Sequence, residues 1–493
     1  MITAKAFAGE HYAVLGLARS GMATVAALLA SGARVTAWDD DEGARAKLLP
    51  VYGEVAAQLT EGVAHVAPPL HHVSLVPLPV YGEDLEIADF TSSDLTIFDS
   101  IVVTPGLPLN RHPITQRAKD AGVEIIGDIE LFARARAELP PHKVVGITGT
   151  NGKSTTTALV HHILQTAGVP SLMGGNIGLP ILSQEPLLEG GVYVLELSSF
   201  QIDLTKSLDC DVAVLLNITP DHLDRYENFE AYAASKARLF EMQSPQNHAL
   251  FVVDDEKSQS LFKSLFQERE PKSLWQEFRH GMPNMLAVYG NDLQGEELWN
   301  GLDPNKKWRT DIPDQSEFPS LQGSHNSQNA VAAFVTCDMV GITDDLIELG
   351  LRTYPGLPHR MERITERDGV LFVNDSKATN AEAAAPALAA YPKVRWIVGG
   401  QAKAETLGDT AKHLDHVVAA YTIGEAGPMF ARLLRDAGVT VVECETLDHA
   451  VRRAAEDSQP GETVLLSPAS ASFDQFRDFE ERGDRFRDLV GAL

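Results

Sequence analysis

Lys153 lies within Thr148-Gly-Thr-Asn-Gly-Lys-Ser-Thr-Thr156, after the apolar run Val144–Ile147 and before a helical pattern that begins at Ala158. The chemistry this order offers is phosphate binding. Backbone N–H groups of a glycine-rich turn (Gly149, Thr150, Asn151, Gly152) converge on phosphate oxygens, and the helix start adds positive potential. Lys153 can reach terminal phosphates, and the hydroxyl of Ser154 or Thr155 can hold Mg²⁺. The usual Gly-x-x-x-x-Gly-Lys-Ser spacing would require glycine at position 147, which is Ile147; the glycines fall at Gly146, Gly149 and Gly152. The loop reads as a nucleoside triphosphate site of a distinct sequence type.

Three further residues carry compatible chemistry. Glu196 ends a strand pattern, Val192–Glu196, where an acid can hold Mg²⁺ directly or through water or stand solvated. His222 follows the next strand in Asp221-His-Leu-Asp-Arg225; beside a metal-phosphate site it is a ligand candidate, and elsewhere a structural residue. Lys236 shares one helical face with Phe229, Ala233 and Phe240, while Arg238 points the opposite way. A lysine within an apolar stripe either snorkels or is buried for a purpose. Burial lowers the ammonium pKa, and a neutral amine can take up CO₂ as an anionic carbamate that needs a cation.

Weaker signals flank these. Gly16-x-Ala18-x-x-Gly21 replaces the middle glycine of a dinucleotide fingerprint, with Asp39 about where a ribose-binding acid would fall. It is either a packed turn or a diphosphate site, with NAD the less favoured ligand. Asp375 and Lys377 suit a nucleotide-contacting loop, and Asn380 suits a helix cap. Lys403 follows another strand and could receive a carboxylate or lie exposed.

The elements that must position these residues form three blocks of alternating strands and helices. The first runs from Tyr12–Leu15 through a helix over 23–30 and the strand Arg34–Trp38 to Ile101–Val103. Leu139-Pro-Pro-His142 leads into the second, and Tyr354-Pro-Gly-Leu-Pro358 into the third, with strands Val370–Val373, Arg395–Val398 and Thr463–Leu466. Open α/β sheets bind ligands at the carboxyl ends of such strands. Residues 50–95 and 256–320 lack clean periodicity and read as loop-heavy insertions. The expected fold is α/β with three domains: 1–139, 140–354 and 355–493.

At 493 residues the chain is long enough for several cores, and its net charge of −27 argues against nucleic-acid or membrane-surface binding. Cys210, Cys337 and Cys444 are widely spaced and read as reduced thiols. No stretch is apolar and long enough to cross a bilayer, so a cytoplasmic protein is expected.

In this order the motifs resemble the Mur ligase family over nearly the whole chain. The distinctive strings are Gly127-Asp-Ile-Glu-Leu-Phe132, the phosphate loop, Gly174-Gly-Asn-Ile-Gly-Leu-Pro180, Leu195-Glu-Leu-Ser-Ser-Phe-Gln201 and Asp221-His-Leu-Asp-Arg-Tyr226. They continue with Gly356-Leu-Pro-His-Arg360, Asn374-Asp-Ser-Lys-Ala-Thr-Asn380 and Leu466-Ser-Pro-Ala-Ser-Ala-Ser-Phe473. The resemblance implies a Rossmann-like N-terminal domain for a UDP-sugar peptide, a central P-loop ATPase and a mobile Rossmann-like C-terminal domain.

It further implies ATP and two Mg²⁺ ions, with Mn²⁺ as a substitute, and a monomer acting on UDP-N-acetylmuramoyl-L-alanine and D-glutamate. An L-glutamate-adding or folylpolyglutamate-type ligase is the nearest competing reading. By position, Arg19, Ser20, Asp39, Asp40, Thr104, Asn176, Ser198 and His222 resemble contacts to the UDP substrate. Asn326, Asn329, Arg360 and Asp375 resemble adenine and ribose contacts. Thr379, Lys403, Ser472 and Phe473 resemble a glutamate site. Ser154 and Glu196 match one metal position; His222 and carbamylated Lys236 match the other. Lys153, Glu196, His222 and Lys236 are the expected catalytic set.

Overall fold

The computed structural model describes residues 1–52, 84–222, 224–252, 258, 260–261, 284–288, 299–300, 317–318, 320–321, 324–402 and 404–493. The chain divides into two compact units. One is built from 1–289 with 297–309 and 332–347, the other from 348–493 with 290–296 and 310–331.

The first unit holds two sheets. Strands β1 (His11–Leu15), β2 (Arg34–Trp38), β3 (Leu85–Ile87), β4 (Ser100–Val103) and β5 (Glu124–Ile126) are parallel in the order β3-β2-β1-β4-β5. The order reverses at β1/β4, the doubly wound arrangement that opens a crevice between their carboxyl ends. The second sheet contains β6 (His142–Thr148), β7 (Ser171–Gly175), β8 (Gly191–Glu196), β9 (Val212–Leu215), β10 (His248–Val252), β11 (Asn284–Val288) and β12 (Trp299–Asn300). Its order is β12-β11-β10-β9-β6-β8-β7, parallel except for β12. Helices cover such sheets on both faces, so strands such as Val212–Leu215 are apolar and buried along their whole length. A continuous core joins the two sheets, from Phe7 and Val25 through Phe132 to Tyr193 and Phe251.

The second unit carries β13 (Glu362–Arg367), β14 (Val370–Asn374), β15 (Val394–Gly399), β16 (Val417–Ile423), β17 (Val441–Glu445) and β18 (Thr463–Leu466). Their order is β13-β14-β18-β15-β16-β17, with β13 antiparallel to β14 and the rest parallel. The α/β expectation holds in all three sheets.

The loop reading of 50–95 needs correction at its margins. A helix over Glu42–Tyr52 runs into the region, and Leu85–Ile87 adds an edge strand to the first sheet. Three half-buried or exposed residues are too few to show alternation in sequence. Most of 256–320 lies outside the described residues, although β11 and β12 fall within that stretch. No helix among the described residues is long and apolar enough to cross a membrane.

Candidate active site

The phosphate loop leaves β6 and enters a helix over Lys153–Thr166. Two glycines are demanded by the backbone, with Gly149 at φ 151° and Gly152 at φ 82°. A Cβ on Gly149 would also lie 3.1 Å from Leu216 Cβ. Gly146 has a different reason: it sits within β6, where a Cβ would come 2.7 Å from Cys210 Sγ. The off-pattern glycine therefore serves strand packing and lies outside the phosphate turn. Asn217 anchors the turn, its Oδ1 accepting from the N–H of Thr150 (3.1 Å) and of Asn151 (2.8 Å). The helix opens without a side-chain cap and with no acid in its first turn, as an anion-binding N-terminus requires.

The two expected catalytic lysines meet on one atom. Lys153 Nζ donates to Gly149 O at 3.0 Å and to Thr150 O at 2.8 Å, and Lys236 Nζ donates to the same Gly149 O at 2.9 Å. Lys236 does not snorkel; it is 1% exposed, on a helix over Phe229–Glu241 that also buries Tyr232, Ser235 and Leu239. Burial, reinforced by the charge of Lys153, pulls its ammonium down to about 7. A neutral amine is thereby within reach at physiological pH. Arg238 turns away and donates to Thr205 O.

Glu196 stands beside the loop because β8 pairs with β6 in the register Ile147↔Glu196. Its Oε1 accepts from Asn176 Nδ2 at 2.9 Å, and Asn176 N–H donates to Glu196 O. Its Oε2 is buried with no hydrogen-bond partner among the described residues. An orphaned carboxylate oxygen in the interior is costly unless a cation completes it, so the donor chemistry fits a hard divalent ion. Ser154 Oγ, on the first turn of the helix, is the second oxygen suited to it. His222 follows β9, exposed and at φ 53°, with its ring 4.9 Å from Phe200 and Nε2 3.6 Å from Asp221 Oδ2. Ser198 has a structural task of its own: it caps the helix over Ser199–Asp203 through a capping box with Gln201.

At the β1/β4 crevice, Gly16 adopts φ 94°; a Cβ there would collide with Thr104 Oγ1, and one on Gly21 with Gly16 O. The helix over Arg19–Ala30 likewise opens with no side-chain cap. Ser20 and Thr104 line a small cleft with Thr24 and Asp128. Asp39 braces the turn, its Oδ2 accepting from Leu17 N–H at 2.6 Å and its Oδ1 from Asp41 N–H at 2.9 Å. Asp40 Oδ1 accepts from Trp38 Nε1, and Arg19 Nη2 donates to Gly178 O at 3.1 Å. Asp128, which the sequence offers only within a family string and without a role, has a carboxyl that burial pushes up to about 6.

In the second unit Asp375 and Thr379 follow β14, and Ser472 and Phe473 follow the adjacent strand β18, all beyond the strands' carboxyl ends. Asp375 is buried, accepts from Ser467 Oγ at 2.7 Å and Met361 N–H at 3.2 Å, and is pushed up to about 7 by desolvation. Asn380 caps the helix over Ala381–Ala390, accepting from Ala383 N–H. Thr379 is half-buried, Ser472 is buried, and Phe473 is 69% exposed. Asn329 Nδ2 donates to Asn326 Oδ1 on a helix over Ser324–Val340, and Arg360 is half-buried. Lys403 lies outside the described residues. Sequence reasoning also missed Arg482. Its buried guanidinium donates to Ser376 O (2.8 Å) and Ser470 O (3.1 Å), joining two of these strand-end loops.

A glycine turn that carries Lys153, an uncapped helix start and an incomplete buried carboxylate together define an α/β protein that binds nucleotide phosphates with a divalent cation. Residues 147–337 match the Mur ligase middle domain, and residues 359–470 match the Mur ligase glutamate ligase domain. The chain belongs to the Mur ligase family. It is 53% identical to the UDP-N-acetylmuramoylalanine--D-glutamate ligase of Novosphingobium aromaticivorans, over 100% of this chain and 97% of that one. It is 50% identical to the protein of that name from Zymomonas mobilis subsp. mobilis, over the full length of both. Its fold matches the MurF ligase of Thermotoga maritima, solved in complex with ADP, with a TM-score of 0.52 at 16% identity over 99% of this chain and 97% of that one.

Proposed function

We propose that this chain is an ATP-dependent ligase that joins the amino group of D-glutamate to the alanyl carboxyl of UDP-N-acetylmuramoyl-L-alanine in cytoplasmic peptidoglycan precursor synthesis. The observation that carries the reading is the convergence of Lys153 and Lys236 on the Gly149 carbonyl, beside a carboxylate that lacks a partner. A switch that only bound nucleotide would have no need of a second, desolvated lysine in the cradle. The near-full-length identity to the curated ligases supports the choice of substrates.

A free carboxylate resists attack by an amine, because its carbonyl is poorly electrophilic and oxide is a poor leaving group. Transfer of the γ-phosphoryl group of ATP to that carboxylate gives an acyl phosphate and ADP. The glutamate amine then adds to the carbonyl carbon, and the tetrahedral adduct expels phosphate and loses a proton to leave the amide. In this scheme the N–H groups of residues 149–153 orient the triphosphate, and Lys153 leaves its resting carbonyls to follow the transferred group. Two Mg²⁺ ions, replaceable by Mn²⁺, would neutralise the converging anions. Ser154 and Glu196 would hold one, and His222 with carbamylated Lys236 the other.

Asn176 and His222 face the reacting end of the UDP substrate; Arg19, Ser20, Asp39, Asp40 and Thr104 belong to its uridine diphosphate side, and Ser198 is a further contact to the same substrate. Asn326, Asn329, Arg360 and Asp375 keep the adenosine role, and Thr379, Lys403, Ser472 and Phe473 the glutamate role. The proposed domains remain 1–139, 140–354 and 355–493, divided at the proline-rich linkers Leu139–His142 and Tyr354–Pro358. Hydroxylamine tests the chemistry. With ATP and UDP-N-acetylmuramoyl-L-alanine but no glutamate, an acyl hydroxamate should accumulate; its absence, together with no positional isotope exchange in ATP, would remove the acyl phosphate.

A further inference from the structure

Arg225 lies in the loop after β9, three residues beyond His222, and joins parts of the first unit that the scheme above leaves separate. Its guanidinium donates to Leu107 O at 2.7 Å and Gly106 O at 3.3 Å, on the turn that follows β4 and begins at Thr104. The same guanidinium lies 4.2 Å from the centre of the Phe200 ring. Phe200 in turn packs against the ring of His222 and stacks on Tyr226, at 10° between planes.

The connection is reciprocal. Asp224 O accepts from Asn110 Nδ2 and Arg111 Nη2, both at 3.1 Å, and Arg225 N–H donates to His222 O at 2.9 Å. One end of this chain of contacts is therefore Thr104, against Gly16 at the diphosphate-type turn; the other is His222. The two sheets also meet elsewhere: a continuous core joins them, and Gly127 N–H donates to Leu204 O at 3.0 Å.

We propose that Arg225 is a positioning residue that fixes the span between the Thr104 turn and His222, matching that span to a substrate that must reach both. The inference rests on the functional reading above, in which the uridine diphosphate side and the reacting carboxyl belong to one ligand. A flat guanidinium can stack on Phe200 while its two ends serve successive carbonyls; an ammonium cannot meet both demands. A ligand confined to the Thr104 end should not sense the span, whereas one that bridges both ends should.

Calorimetric titration of the full chain with UDP alone, and separately with UDP-N-acetylmuramoyl-L-alanine, reads this difference. Arg225→Met should leave the Kd for UDP within about twofold and weaken the muramoyl-alanine ligand by about tenfold or more. Arg225→Lys should fall between Arg225→Met and the wild type, and KM for ATP should stay within about twofold in both variants. Parallel weakening of both ligands, or no change in either, overturns the proposal. Should Arg225→Met fail to fold, Phe200→Leu removes only the stacking partner and must show the same split at reduced size; no split overturns the proposal. Wild-type protein that binds UDP but not the muramoyl-alanine ligand overturns the functional reading itself, a result distinct from normal wild-type binding without a split in the variants.

Discussion

The turn after β1 and the turn after β6 both send a parallel strand into a helix through glycines at positive φ, and both helices open without a side-chain cap. They differ in what braces them. At Gly16 the brace is a carboxylate, Asp39, which accepts from the turn's Leu17 N–H, and the space above the glycine is filled by Thr104. At Gly149 the brace is the neutral amide of Asn217, and two lysines donate into the turn. An acidic brace lowers the local positive potential and suits a diphosphate that is held and not transformed. A neutral brace with two cations suits a triphosphate whose terminal group must leave. On the proposed function, one backbone geometry serves binding in one place and chemistry in the other, and the side chains at the turn decide which.

Removing the ammonium at the second turn should have the largest effect. Lys153→Met should lower kcat for ATP-dependent phosphate release by about 10³-fold or more while UDP still binds, because in the proposed scheme only the β6 turn handles the transferred phosphoryl group. Retained turnover would erase the distinction between the turns.

Lys236→Ala should cost about 10²-fold or more in kcat, with part of the loss restored by millimolar acetate or another small carboxylate standing in for the carbamate. Full activity without rescue would reduce Lys236 to a packing residue. Carbamylation requires the neutral amine, and burial holds the amine's pKa near 7. The ¹³C carbamate signal from labelled bicarbonate should therefore fall as pH drops below about 7, where the ammonium form takes over. A signal that grew on acidification would contradict that sign.

The smallest effect belongs to the first turn. Gly21→Ala forces a Cβ toward Gly16 O and should destabilise the protein by about 1–3 kcal/mol, seen as a lower Tm, and weaken UDP more than ATP. Equal losses for both nucleotides would mean that the turns are not separable.

Much of this was legible in the sequence wherever the signal was local. The phosphate turn, the strand-end acid at Glu196 and the Asn380 cap each occupy a few consecutive residues whose types have a physical reason. Lys236 was half legible: helical spacing put it in an apolar stripe, but periodicity alone cannot tell a snorkelling lysine from a buried one. The structure decides it through the Gly149 carbonyl, 87 positions away. Asn217, Arg225 and Arg482 escaped for the same reason. Their hydrogen-bond partners lie 66, 118 and 106 residues off, brought near by parallel strand order, which no short window records. The need for glycine at Gly146 was not legible in the apolar run Val144–Ile147, because its constraint comes from Cys210, on the neighbouring segment before β9.

The most direct test of carboxylate activation at the Lys153 turn is mass-spectrometric detection of product from the purified full-length chain. The reaction contains ATP, Mg²⁺, UDP-N-acetylmuramoyl-L-alanine and either D- or L-glutamate. The expected result is a single glutamyl amide formed with D-glutamate, one ADP and one phosphate per amide, and no product when ATP is omitted. ATP hydrolysis indifferent to both glutamate and the UDP substrate, or amide formation only with L-glutamate, would contradict it.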